Sequence, residues 1–243
     1  MPLRLRTADG IALAADVRAV AGADAAVVLV HGFAARRRDA AVVAVGDALH
    51  AAGHSVLSVD LRGHGESEGL CTLGDLERHD VRAAVDAARA LAPRVVLVGA
   101  SMGAVAALRH ATGDADLAGV VTVSAPARWR LHSPRSVVAA LVTHTPLGRR
   151  MGLRLGVRIA ATRRLGAAPE RLAGRLTVPL AVIHGTADRF MPTGEAVRLH
   201  GAATGRRRLD LIEGMGHAFD PAGITAIVAG VAWCVAEAGP PPG

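Results

Sequence analysis

An α/β fold built on a mostly parallel, eight-stranded sheet is what this chain predicts, on three observations. Short runs of Val, Leu and Ala alternate with longer helical stretches along its 243 residues. The runs in the middle are continuously apolar, as strands buried on both faces are. Hydrophobic residues make up 51% of the chain, enough to fill the core of one domain.

The elements follow in order. Strands 2–6 and 11–18, separated by "TADG", predict an antiparallel hairpin at one edge. Strand 26–31 leads to helix 38–52, strand 54–59 and helix 74–92. Strand 94–100 runs into helix 103–111, and strand 117–123 follows. Residues 127–175 break the rhythm: they are arginine-rich, helical in character and punctuated by Pro134, Pro146 and Pro169. They predict a helical cap inserted over one end of the sheet. Strand 179–184, helix 194–203, strand 207–212 and helix 221–237 complete the pattern. The core is thus 1–126 with 176–238, the cap 127–175, and 239–243 ("GPPPG") a flexible tail.

Charge is unevenly spread. All 28 basic residues are arginine, and the net charge is +7. Between Pro126 and Val178 eleven arginines face one acid, Glu170, a local +10 that leaves the remainder at −3. Aromatics are only 2%, with no tyrosine, so stacking platforms for nucleic acid are lacking and no nucleic-acid partner is expected. Cys71 and Cys234 form neither a disulfide framework nor a metal knuckle, and no His-Glu-x-x-His occurs; no metal and no cofactor are expected. The start "MPLRLRTADGIALAADV" lacks the apolar run of a signal peptide, and runs such as "AAVVLV" are too short to cross a bilayer. The expectation is a soluble, cytoplasmic protein without stable membrane insertion, its oligomeric state open.

Chemistry collects at the carboxyl ends of the strands. Strand 26–31 ends in His31-Gly32-Phe33, and strand 94–100 in Gly99-Ala100-Ser101-Met102-Gly103. After strand 179–184 comes "HGTADRFMP" with Asp188; after 207–212 comes "LIEGMGHAF" with His217. A serine on so sharp a strand-to-helix turn takes a strained conformation, and side chains at Gly99 and Gly103 would collide with neighbouring segments. The hydroxyl is raised above the sheet at the amino end of a helix, where backbone N–H groups favour negative charge. A hydroxyl attacks only when a base takes its proton, and His217, on a glycine-rich loop past the last strand, is the histidine placed to do so. His50, His54, His79, His110, His132, His144 and His200 read as ordinary helix, loop or insertion residues.

The motifs "HGF", "DLRGHGES", "GASMG", "HGTADRFMP" and "GMGH", in this order, resemble the α/β-hydrolase superfamily over the whole chain outside the insertion. The resemblance implies a catalytic triad of Ser101, Asp188 and His217. "GTADRFMP" resembles the family's acid loop, favouring Asp188 over the nearer Glu213 and Asp220. It implies an oxyanion hole from the backbone N–H groups of Phe33 and Met102, with Ala34 the alternative to Phe33. His31 would brace that loop, and Asp60, Arg62, His64 and Glu66 of "DLRGHGES" would be structural. The basic segment stands where such enzymes carry a lid.

The implied function is a serine esterase or lipase cleaving small carboxylic esters, with an aliphatic acyl group suggested by the low aromatic content. A thioesterase or acyltransferase of the same fold stays open, as does a non-catalytic ligand-binding relative. Arg150, Arg154 and Arg158 fall at i, i+4, i+8 and predict one helical face; Met151, Leu155 and Ile159 form a neighbouring stripe, and Gly148, Gly152 and Gly156 a third. Two readings follow: a solvated basic face over an apolar underside that roofs the pocket, or a face that attracts an anionic substrate or surface.

Overall fold

The computed structural model describes residues 1–130, 133–161 and 165–239, without the side chains of 136, 139 and 142. His132, Arg163, Arg164 and the tail residues 240–243 lie outside the described residues. Eight strands form one sheet in the order β1-β2-β4-β3-β5-β6-β7-β8. β1 (Pro2–Arg6) and β2 (Ala12–Arg18) make the expected edge hairpin, and β2 runs antiparallel to β4 (Ser55–Val59). β3 (Ala25–Val30), β5 (Arg94–Ala100), β6 (Gly119–Val123), β7 (Leu180–Gly185) and β8 (Arg207–Ile212) continue from β4 in parallel.

Successive side chains of a strand point to opposite faces, and each face has its own core. Val27, Leu29, Val96 and Val98 pack with Val42, Val45 and Leu49 of α1 (Ala40–Ala51) and with Ile227, Val231 and Cys234 of α8 (Ile224–Ala238). Val28, Val30 and Leu97 pack on the other side with Val81 and Val85 of α2 (Glu77–Ala88), Leu108 of α3 (Met102–Ala111) and Leu199 of α7 (Thr193–Ala202). The chain leaves β3 for β4 on one side and reaches β5 on the other. A crevice opens at that reversal, at the carboxyl ends of β3 and β5.

One expectation is corrected here. Pro221–Ala238, a 3₁₀ turn running into α8, is long and apolar enough to cross a membrane by length and composition. In this fold its Ile227, Val231 and Cys234 are core residues against the sheet.

The β6–β7 connection carries α4 (Pro134–His144), α5 (Pro146–Arg154) and α6 (Pro169–Ala173). α6 packs on α3 and α7, whereas α4 and α5 pack chiefly on each other. The buried Glu195 carboxylate ties down the start of the connection, accepting from the N–H groups of Ala127 and Arg128 at 2.8 and 3.0 Å. α5 begins at Thr145, whose hydroxyl accepts from Gly148 N–H at 2.9 Å, with Pro146 at the first helical position. It stops at Arg154 because Gly156 turns left-handed, with φ 73°. Residues 157–160 then run extended, bridged to His64 and Cys71. The expected three-arginine face is therefore corrected to Arg150 and Arg154; Arg158 lies beyond the helix and donates to the carbonyls of Ser67 and Gly69. The apolar underside is corrected in part: α5 buries Gly148 and Gly152 and leaves Met151 exposed, whereas Leu155, half-exposed, lines the cavity over the sheet and Ile159, beyond the helix, is buried.

Candidate active site

The turn from β5 into α3 holds Ser101 at φ 51° and ψ −113°, a left-handed conformation that costs a non-glycine residue about 1–3 kcal/mol. Ser101 N–H donates to Val123 O at 2.9 Å, and its carbonyl accepts from Ala104 and Val105 N–H at 3.1 and 3.3 Å. A Cβ at Gly103 would land on the carbonyl oxygens of Val30 and His31, and one at Gly99 would lie 2.7 Å from Ala104 Cα. Glycine at both places lets α3 sit close on β3 and β5. Met102 is the first residue of α3, where N–H groups have no acceptor within the helix.

Past β7, the side chain of Asp188 is fully buried. Oδ1 accepts from the N–H groups of Phe190 and Met191 at 2.8 and 3.0 Å. Oδ2 accepts from His217 Nδ1 at 2.7 Å, which assigns the ring proton to that nitrogen. Burial pushes the Asp188 carboxyl up, but the hydrogen bond and charge of His217 and the two backbone donors outweigh it and hold it below the ordinary carboxylate range. Of the rivals, Glu213 is exposed, and Asp220 caps the 3₁₀ turn by accepting from Ala222 N–H at 2.9 Å.

Three residues that the sequence reading missed surround this pair. The Phe190 ring lies on the His217 ring, centroids 4.8 Å apart and planes at 35°. Ser124 Oγ accepts from Ala218 N–H at 3.0 Å, pinning the next residue of the histidine loop. His184 Nε2 donates to Met191 O at 3.1 Å and lies 3.6 Å from Asp188 Oδ2. Ser124 stands at the end of a strand, the position that singled out the others, so the sequence held a signal for it.

The loop after β3 is braced by two buried imidazoles. His31 donates from Nδ1 to Gly32 O at 2.8 Å and accepts Leu61 N–H on Nε2 at 3.0 Å. His64 donates from Nδ1 to Arg62 O at 3.0 Å and accepts Ala34 N–H on Nε2 at 3.4 Å. Their centroids are 4.9 Å apart. Burial holds His31 below the ordinary imidazole range; burial, and then the neighbouring His31, push His64 down to about 4. Ala34 N–H is thus engaged with His64. The rest of "DLRGHGES" is a structural web. Asp60 accepts from the backbone N–H groups of Arg37 (2.7 Å) and Glu66 (3.0 Å), and Arg62 pairs with Asp80 and Asp9, both at 2.7 Å.

Ser101, His217 and Phe33 all line one cavity of about 740 Å³ over the sheet reversal. Its walls include Val42, Val138, Leu155, Phe190 and Phe219; its charged lining residues among the described residues are Asp39 and Arg135. The chain has only three phenylalanines, and all three are here. Low aromatic content overall therefore does not describe this cavity.

Comparison with known proteins agrees with this architecture. A family profile described as serine aminopeptidase, S33, matches residues 21–147, a span that contains the Ser101 elbow and ends before Asp188 and His217. No curated protein matches in sequence. Among solved structures, the esterase Pf2001 of Pyrococcus furiosus superposes with TM-score 0.77 at 20% identity, over 98% of this chain and 90% of that one. The esterase EaEST of Exiguobacterium antarcticum gives 0.74 at 20% identity, over 97% and 100%. Est1E of Butyrivibrio proteoclasticus, with ferulic acid bound, gives 0.69 at 19%, over 96% and 98%. Matched over more than half its length, the chain belongs to the serine aminopeptidase, S33 family of the α/β-hydrolases.

Proposed function

We propose that this protein hydrolyses small carboxylic esters with an apolar acyl group, through an acyl-enzyme on Ser101. The observation that carries the reading is the hydrogen bond from His217 to the buried Asp188, with His217 lining the same cavity as a serine held up on a strained turn. With Nδ1 committed to Asp188, His217 has Nε2 to act as base. Ser101 Oγ attacks the ester carbonyl carbon as Nε2 takes the hydroxyl proton. The carbonyl oxygen becomes an oxyanion, met by the N–H groups of Met102 and Phe33. Collapse breaks the bond to the alkoxy oxygen, and His217 returns the proton to the departing alcohol. Water then attacks the acyl group as His217 takes its proton; the bond to Ser101 Oγ breaks, His217 returns the proton to that oxygen, and the carboxylic acid leaves. Asp188 fixes the tautomer and stabilises the imidazolium; every step uses groups of this chain and water.

The size and apolar walls of the cavity favour an acyl chain or ring over a peptide. The test is a series of p-nitrophenyl esters from acetate to laurate, with a benzoate and an aminoacyl anilide alongside. A fluorophosphonate should label wild-type protein at Ser101. Ser101→Ala should fold normally, escape labelling and lose on the order of 10⁴–10⁶ in kcat. Unchanged turnover in that variant refutes the assignment; anilide cleavage faster than ester cleavage moves the substrate class to amides.

A further inference from the structure

We propose that the α4–α5 hairpin docks on an anionic phospholipid surface and lays the mouth of the cavity against it. Seven of the twelve exposed large hydrophobic side chains among the described residues fall between Val137 and Leu155. Leu147 is 70% exposed, Leu153 60% and Val138 59%, values that ordinary packing does not leave clustered on one hairpin. The cause is local. α5 seats through Gly148 and Gly152, and a Cβ at Gly152 would lie 2.6 Å from Ile159 Cδ1. The helix makes its fit with residues that have no side chain, and its large apolar side chains are left outside.

Charge says what covers them. Residues 133–161 hold five arginines and no acid. Among the described residues Arg149, Arg150 and Arg154 make no pair with a carboxylate, whereas Arg4, Arg82 and Arg206, on other faces, pair with Glu66, Asp86 and Glu237. A second copy of this chain would bring arginine against arginine with no acid to meet either, so self-association through this face is disfavoured. A partner negative at its surface and apolar just beneath suits both features, and an anionic bilayer takes up apolar side chains without shape complementarity. Val138 and Leu155 also line the cavity, so docking would open it towards the lipid. Docking itself is independent of the chemistry at Ser101; its use, to admit esters that partition into lipid, rests on the esterase reading.

The test is co-sedimentation of the Ser101→Ala protein with vesicles, which needs no turnover and so separates failure of docking from failure of the chemistry. Vesicles of phosphatidylcholine mixed with phosphatidylserine should bind it about tenfold or more tighter than phosphatidylcholine alone, less so as salt rises. Replacing Arg149, Arg150 and Arg154 together by Gln should weaken this binding about tenfold or more. Leu147→Ser with Leu153→Ser should also weaken it. Replacing Arg4, Arg82 and Arg206 by Gln removes the same charge from exposed positions elsewhere and should leave binding nearly intact. With Ser101 restored, both hairpin variants should hydrolyse a soluble short-chain ester as wild type does. Equal loss in the two arginine sets, indifference to phosphatidylserine, or a dimer that Leu147→Ser and Leu153→Ser dissociate would each overturn the proposal.

Discussion

His217 spends one nitrogen on Asp188, and Asp188 spends its other oxygen on two backbone N–H groups. The ring is therefore held in one tautomer with little freedom to turn. Asp188→Asn should lower kcat by about 10⁴, the cost of a wrong tautomer in such a triad, whereas Glu213→Gln, on an exposed side chain, should leave kinetics unchanged; the reverse ranking would reassign the acid. Stability carries a pH signature from His64, which stays neutral in the fold down to about 4. The unfolded chain binds that proton more readily, so stability rises with pH across this window and is lost as pH falls from about 6.5 to about 4. The loss is on the order of 3 kcal/mol. Burial pushes His31 the same way. Urea unfolding at stepped pH reads it, and His64→Gln should flatten the slope. Ser101 and His217 were legible because glycines and strand ends mark them. His184 was not, since it lies within β7 and its role is to hold other residues; Ser124, just past the end of β6, carried the strand-end signal and was passed over.

The two glycines of the elbow and the two of α5 serve the same physical end at the level of elements: a helix brought close to its neighbour. At the elbow the contact is backbone against backbone. Gly103→Ala should therefore cost about 1–3 kcal/mol or more by overpacking, and should displace Ser101 enough to lose activity; an unaltered urea midpoint would refute the close approach. The strands were readable within two residues because β3, β4, β6 and β7 are buried along their whole length and so are rich in Val, Leu, Ile and Ala on both faces. α5 was misread because its apolar stripe suggested a packed underside. The glycines do the packing, and nothing in a periodic pattern says which of two stripes faces in. The same geometry divides the segment dynamically. Amides of 147–154 should exchange quickly in hydrogen–deuterium measurements. Arg158 and Ala160, whose N–H groups donate to Gly63 and Cys71 carbonyls at 2.8 and 3.0 Å, should exchange slowly. Uniform protection across both stretches would contradict this division.

In the whole molecule, the site sits where the winding of the sheet reverses between β4 and β5 around β3. That position was legible, because alternation of elements and motif order place Ser101, Asp188 and His217 on strand ends of a parallel sheet. Cavity shape was not: its walls come from Val42 on α1, Val138 on α4, Phe190 past β7 and Phe219 before α8, brought together only by folding. The hairpin that supplies Val138 is fastened at its two ends, by Glu195 on one side and the bridges of Val157 and Ile159 on the other. Between those fastenings it contributes little to either core. Such a part tolerates revision: exchanging its side chains alters what is admitted to Ser101 without obliging the platform below to refold, so substrate choice and foldability are written in separable stretches of one polypeptide.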